Sequence, residues 1–144
     1  MAASSRNDPY AGFRFLIEID GHVVGGFSEV TGLQAEIEIE EYREGGENDY
    51  VHTLPKATKY PRLVLKRGIT DSNTLWQWQT KVRSGRVERH TVHIVLLDEA
   101  HNRKWDWRCV DAYPVKWSGP DFKADGNSVA VESMELVHNG IRVD

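Results

Sequence analysis

A single cysteine, Cys109, in a chain of 144 residues excludes an internal disulfide framework and fits a reducing compartment. No stretch approaches the roughly 18 consecutive apolar residues of a membrane-spanning helix. The opening MAASSRNDPY lacks the charged-then-apolar order of a secretory signal. Net charge is scarce as well, at −4 from 18 Lys+Arg and 22 Asp+Glu, so the average composition gives no reason to expect nucleic acid. Phosphate loops are missing: Gly45-Gly46 has no lysine-serine follow-on, and Gly25-Gly26 lacks a strand-to-helix setting.

Catalytic constellations are equally thin. Of six histidines, His90 and His93 are nearest, and three positions apart on a strand they point to opposite faces. No metal set is expected from them. Cys109 lies in a strand near Trp105 and Trp107 and reads as a buried, inert thiol. The row Glu36, Glu38, Glu40 spaces carboxylates by about 6.6 Å on one strand face, near a glycosidase spacing, yet three in a regular row read as a solvated wall. The expectation is a non-enzyme without cofactor or metal.

What is present is a strong segregation of charge. Residues 28–50 hold eight acids against Arg43, a net −7, whereas residues 56–89 hold nine bases against Asp71 and Glu88, a net +7. Two readings are open. The segments pair or are solvated within one molecule, or they lie on different faces and steer copies head to tail.

The hydrophobic pattern predicts a mainly β domain over residues 1–144, with residues 1–10 a flexible arm. Phe13–Asp20 alternates as a strand, Val23–Val30 as another kinked by Gly25-Gly26, and Ala35–Tyr42 as a third. Residues 43–61 form a long loop with room for a short hairpin. A strand over Arg62–Arg67 precedes a helix over Asn73–Ser84, capped by Asp71 or Ser72, with Leu75, Trp78 and Val82 inward. Val87–Leu97, Arg103–Tyr113 and Ser128–His138 complete the strands, and Val115–Pro120 breaks regular pairing. The fold class is two packed antiparallel sheets, sandwich or barrel, with one α-helix. Strand edges without evident protection favour closure across several copies, with the 43–61 loop as an arm onto a neighbour.

In order along the chain stand Asp8-Pro9-Tyr10, Gly26-Phe-Ser-Glu-Val-Thr-Gly-Leu33, Tyr42-Arg-Glu-Gly-Gly46, Leu54-Pro-Lys-Ala-Thr-Lys-Tyr60, Leu75-Trp-Gln-Trp78 and Ala112-Tyr-Pro-Val-Lys-Trp-Ser-Gly-Pro120. The set resembles the inner tail-tube proteins of contractile phages and phage-tail-like contractile injection systems. The resemblance implies hexameric rings whose strands close into a barrel around a lumen, stacked inside a sheath as a conduit for protein or DNA cargo. It implies as partners further copies of the chain, a sheath protein, and baseplate-initiator and cap proteins, with assembly in the bacterial cytoplasm before release in a particle. Contact candidates are Asp8, Tyr10, Tyr42, Arg43, Glu44, Tyr50, Lys56, Lys59, Tyr60 and Arg62. Lumen candidates are Arg14, Glu18, Glu36, Glu38 and Glu40, on strands that look adjacent. Reversal of Lys59 and Arg62 is expected to block stacking. A tube initiator or cap paralogue, and a small apolar-ligand-binding β-barrel, are the alternatives.

Overall fold

The computed structural model describes residues 14–42, 52–124, 126 and 129–143. Strand alternation places its inward residues. On β1 (Arg14–Ile19), Phe15, Ile17 and Ile19 face inward, and pairing with β7 (His90–Leu97) sets Ile17 opposite Ile94. The other elements are β2 (His22–Val24), β3 (Phe27–Thr31), β4 (Glu36–Tyr42), β5 (His52–Lys59), β6 (Leu63–Gly68), α1 (Thr74–Arg83), β8 (Arg103–Ser118), β9 (Val131–Val137) and β10 (Ile141–Val143). Strand order is β2-β1-β7-β8-β9-β6-β3, with β10 beside β8 and β4–β5 a separate hairpin.

β8 turns this order into two layers. Its first half, to Ala112, pairs with β7 and β10, and its second half, from Tyr113, pairs with β9. Asp111 at φ 53 and a register shift between Pro114 and Lys116 mark the bend. Ile17, Val92, Ile94 and Cys109 of the first layer meet Leu63, Leu65, Met134 and Leu136 of the second, all of them buried. Each such side chain contributes about 1.5–3 kcal/mol of transfer free energy. α1 closes one end of the core with Leu75 and Trp78, and the Trp78 indole N–H donates to the Glu88 carbonyl at 3.0 Å. The hairpin leaves from the other end, after β3 and before β6.

The core also holds an ion pair. Arg67 Nε donates to Glu132 Oε1 at 2.6 Å, Trp117 Nε1 donates to Glu132 Oε2 at 3.0 Å, and Arg67 Nη2 donates to the Ser72 carbonyl at 3.2 Å. Both charged side chains are nearly inaccessible, 3% and 6% exposed.

The mainly β class with one helix matches the sequence expectation, and five local expectations change. Val23–Val30 is not one strand, because Gly25-Gly26 breaks it and β2 and β3 join different layers. Residues 52–59 are a strand rather than loop. Asn73, not Asp71 or Ser72, precedes α1, and it makes no side-chain cap hydrogen bond. β8 runs through Val115 to Ser118, the register shift absorbing the proline. β10 adds a short strand.

Candidate assembly surfaces

β4 and β5 form a two-stranded ladder that packs on no other element to any large extent. Glu36 stands opposite Lys59, Glu40 opposite Leu54, and Tyr42 opposite His52, the last two rings stacked at 5.1 Å. Ile37 and Ile39, on the face away from Glu36, Glu38 and Glu40, are 59% and 58% exposed. A lone two-stranded ladder is marginally stable in water, so this one needs cover. At its root sits Gly32, with φ +89 and the Arg62 carbonyl oxygen only 1.9 Å from where a Cβ would be.

Among the described residues, the second layer, β3-β6-β9 and the later half of β8, has two edges without a further strand, β3 and β8 beyond Tyr113. By contrast, the first layer ends in β2 and β10, each three residues long. Short edge strands are a usual block to unwanted pairing, and the longer edges of the second layer are not so blunted. Its outward face carries Glu29, Lys66, Ser133, Glu135 and Lys116, tied by Lys66–Glu29 at 3.6 Å and Lys116–Glu135 at 3.6 Å. It is a hydrated face of mixed charge.

The contact candidates scatter over these surfaces. Asp8, Tyr10, Arg43, Glu44 and Tyr50 lie outside the described residues. Tyr42, Lys56 and Lys59 are on the hairpin. Arg62 pairs with Glu135 at 3.4 Å, and Lys59 faces Glu36 across the ladder. Both bases thus have acidic neighbours on their own chain. Tyr60 packs against His138 of its own chain at a ring separation of 5.3 Å.

The lumen candidates do not share a wall within one chain. Arg14 and Glu18 lie on β1, whose neighbours are β2 and β7, whereas Glu36, Glu38 and Glu40 lie on the detached hairpin. Glu18 is buried at 8% exposure and its carboxylate is held by the Arg103 guanidinium. Arg14 reaches His101 at 3.4 Å. Alternation alone could not reveal this, because Glu18 sits at an outward position that long side chains cover. The polar residues on the outward face of the second layer alternate with core residues and look in the sequence like ordinary solvated positions.

Catalytic chemistry finds no footing. Cys109 is fully buried beside Val92 and burial pushes its thiol up to about 11, so thiolate is scarce at neutral pH. His93 bonds Asp106 at 2.9 Å on the opposite face of the layer, away from Cys109. No three metal-ligating side chains cluster among the described residues.

His138 carries a testable pH dependence. Its Nδ1 accepts the Gly140 N–H at 3.2 Å, its Nε2 is buried without a partner, and burial lowers its pKa from 6.5. The unfolded chain therefore binds the proton first, and His138's contribution to stability is full above about pH 6.5 and falls as pH drops below it. Urea denaturation at several pH values should show this slope, and His138→Met should flatten it. An unchanged slope in that variant would assign it to another group.

The model of the T4-like virus tail tube protein gp19 family matches residues 11–142. No curated protein shows a significant match. Among solved structures, a chain of the sheath-tube complex of the extracellular contractile injection system PVC, in its extended state, aligns with TM-score 0.87 at 22% identity, covering 99% of each chain. A chain from the tube-terminating cap of the anti-feeding prophage aligns with TM-score 0.87 at 23% identity, over 99% of this chain and 95% of that one. A third, from the 6-fold symmetrised baseplate of the anti-feeding prophage, aligns with TM-score 0.77 at 24% identity, over 98% and 97%. At these identities the structural likeness speaks for the fold.

Proposed function

Because this chain belongs to the T4-like virus tail tube protein gp19 family, whose members are structural tail-tube subunits and not enzymes, we propose that it closes into hexameric rings that stack as the hollow inner tube of a contractile injection machine. The observation that carries the ring is the four-stranded second layer with both edges open. Pairing β3 of one copy with the later half of β8 in the next satisfies both edges, and repetition of that pairing closes a barrel. The core then faces outward, and the face bearing Glu29, Lys66, Ser133, Glu135 and Lys116 lines the lumen. This proposed wall differs from the one expected from Arg14, Glu18 and the row Glu36, Glu38, Glu40. On this wall the charges stand among the outward Val64, Val131 and Val137, so a passing cargo, protein or DNA, meets apolar side chains interrupted by hydrated ones. Sheath, baseplate and cap proteins are the remaining partners, assembly takes place in the bacterial cytoplasm, and the tube leaves as part of a particle.

Negative-stain electron microscopy of the concentrated protein tests this, with six-membered hollow rings and stacked tubes expected. Monomers alone, even with baseplate components present as a nucleus, would overturn it. The equally good fit to a tube-terminating cap supports a second reading, a cap paralogue, which predicts single rings that do not stack on one another.

A further inference from the structure

The outward face of the second layer is not electrically balanced. Among the described residues it holds three bases, Arg62, Lys66 and Lys116, against two acids, Glu29 and Glu135. The β8–β9 connection adds Asp121 and Lys123, which cancel. Lys66 and Glu29 form a one-to-one pair at 3.6 Å. Glu135 is shared: Arg62 Nη1 donates to its Oε1 at 3.4 Å, and Lys116 Nζ lies 3.6 Å from its Oε2. The register explains the sharing. Lys116 stands opposite Glu135 across β8–β9, and Arg62, just ahead of β6, reaches it diagonally past Val64. The side chains also differ in reach, with Glu135 25% exposed and Arg62 and Lys116 at 56% and 60%. Two cations therefore stand above one half-covered carboxylate, and one positive charge per copy is left over.

We infer that Arg62 and Lys116 form a docking site for the carboxylates of an acidic polypeptide carried in the lumen, repeated once per copy around each ring. The inference rests on the ring reading, which turns this face inward. A guanidinium carries five N–H donors and an ammonium three, enough to serve a second carboxylate beside Glu135. The outward Val64, Val131 and Val137 suit the aliphatic parts of a peptide chain. Nucleic acid fits this face less well. Single strands bind by stacking bases on aromatic rings along a basic track. The aromatics of these four strands, Phe27, Tyr113 and Trp117, pack against the core instead. The exposed Phe122 stands beyond the strands, on the β8–β9 connection. Exposed ion pairs are individually weak, so each contact releases readily, while repetition around the ring makes them hold together. Retention with easy release is what the wall of a conduit requires.

Fluorescence anisotropy of a fluorescein-labelled oligoglutamate peptide, added to rings or tubes of the full chain, tests the site. Binding is expected, weakening as salt rises, with an oligolysine peptide left unbound. Arg62→Gln with Lys116→Gln is expected to weaken it at least about tenfold. Glu135→Gln is expected to strengthen it about threefold or more, because both cations then lack their shared anion. A carboxylate with a merely structural role would give no such gain. Electron microscopy shows whether each variant still forms rings. Unchanged binding in the double variant would overturn the site and assign the peptide to Lys81, Arg83, Arg86 and Arg89 around the end of α1. No gain in Glu135→Gln would overturn it too, as would tighter binding of a single-stranded oligodeoxynucleotide than of the peptide. If the double variant forms no rings, Glu135→Gln decides alone. Loss of rings in both would assign the three residues to pairing between copies and overturn the site. Absence of rings from the wild-type chain would instead remove the ring reading and the site with it.

Discussion

Replacing Glu132 by alanine is expected to lower the stability of the folded subunit by about 3–5 kcal/mol, the cost of leaving a buried charge without its partner. Glu132 serves two donors at once, Arg67 Nε at 2.6 Å and the Trp117 indole at 3.0 Å. Without the carboxylate the guanidinium keeps only the Ser72 carbonyl and the Phe27 ring, 5.7 Å from its Cζ. At 3% side-chain exposure, water is no substitute. Arg67→Met combined with Glu132→Leu should cost far less than Glu132→Ala, because neither charge remains to be solvated. Urea denaturation of the variants measures the difference. A loss below about 1 kcal/mol in Glu132→Ala would mean that the pair behaves as a solvent-screened surface bridge.

Gly32→Ala is the second large effect. A left-handed backbone at a residue bearing a Cβ costs about 1–2 kcal/mol. Here the Cβ would also lie 1.9 Å from the Arg62 carbonyl oxygen and 3.1 Å from the Leu63 Cα, and main-chain atoms cannot rotate away. Forcing them apart adds about 1–3 kcal/mol. The displaced atoms are those from which β6 starts and on which the hairpin is seated, so tube length should fall along with stability. Gly25→Ala is the control, since a Cβ there meets open space, and it should change neither quantity appreciably. Equal melting temperatures for the two variants would show that the Gly32 turn relaxes freely.

The legible parts of this fold were those in which burial enforces a period. β1, β6 and β7 alternate because one face meets the core, and α1 stands out where the period changes at Leu75 and Trp78. β5 was illegible for the converse reason: among the described elements it pairs with β4 alone, so no alternation is imposed and Pro55 is tolerated. The separation of β2 from β3 depends on which layer each joins, a long-range choice that Gly25-Gly26 permits but does not specify. Of the assembly surfaces, the segregated charge was plain in the sequence, although its geometry was not. Arg62 lies close to Glu135, whereas Lys81 through Arg89 lie at the helix end. The buried ion pair did leave a signal: Arg67 follows Leu63 and Leu65 at inward positions, and Glu132 precedes Met134 and Leu136 at inward positions.

The shared strand β8 also governs timing. β1 can pair with β2, and β3 with β6, before β7 is made, but neither layer is complete without residues 103–118, and the β3–β6 pair waits further for β9. At synthesis rates of about 5–20 residues per second, the early strands spend several seconds without their final partners. On the proposed ring pairing, the β3 edge is therefore fit to receive another subunit only after β9 has been made and the core has closed behind it.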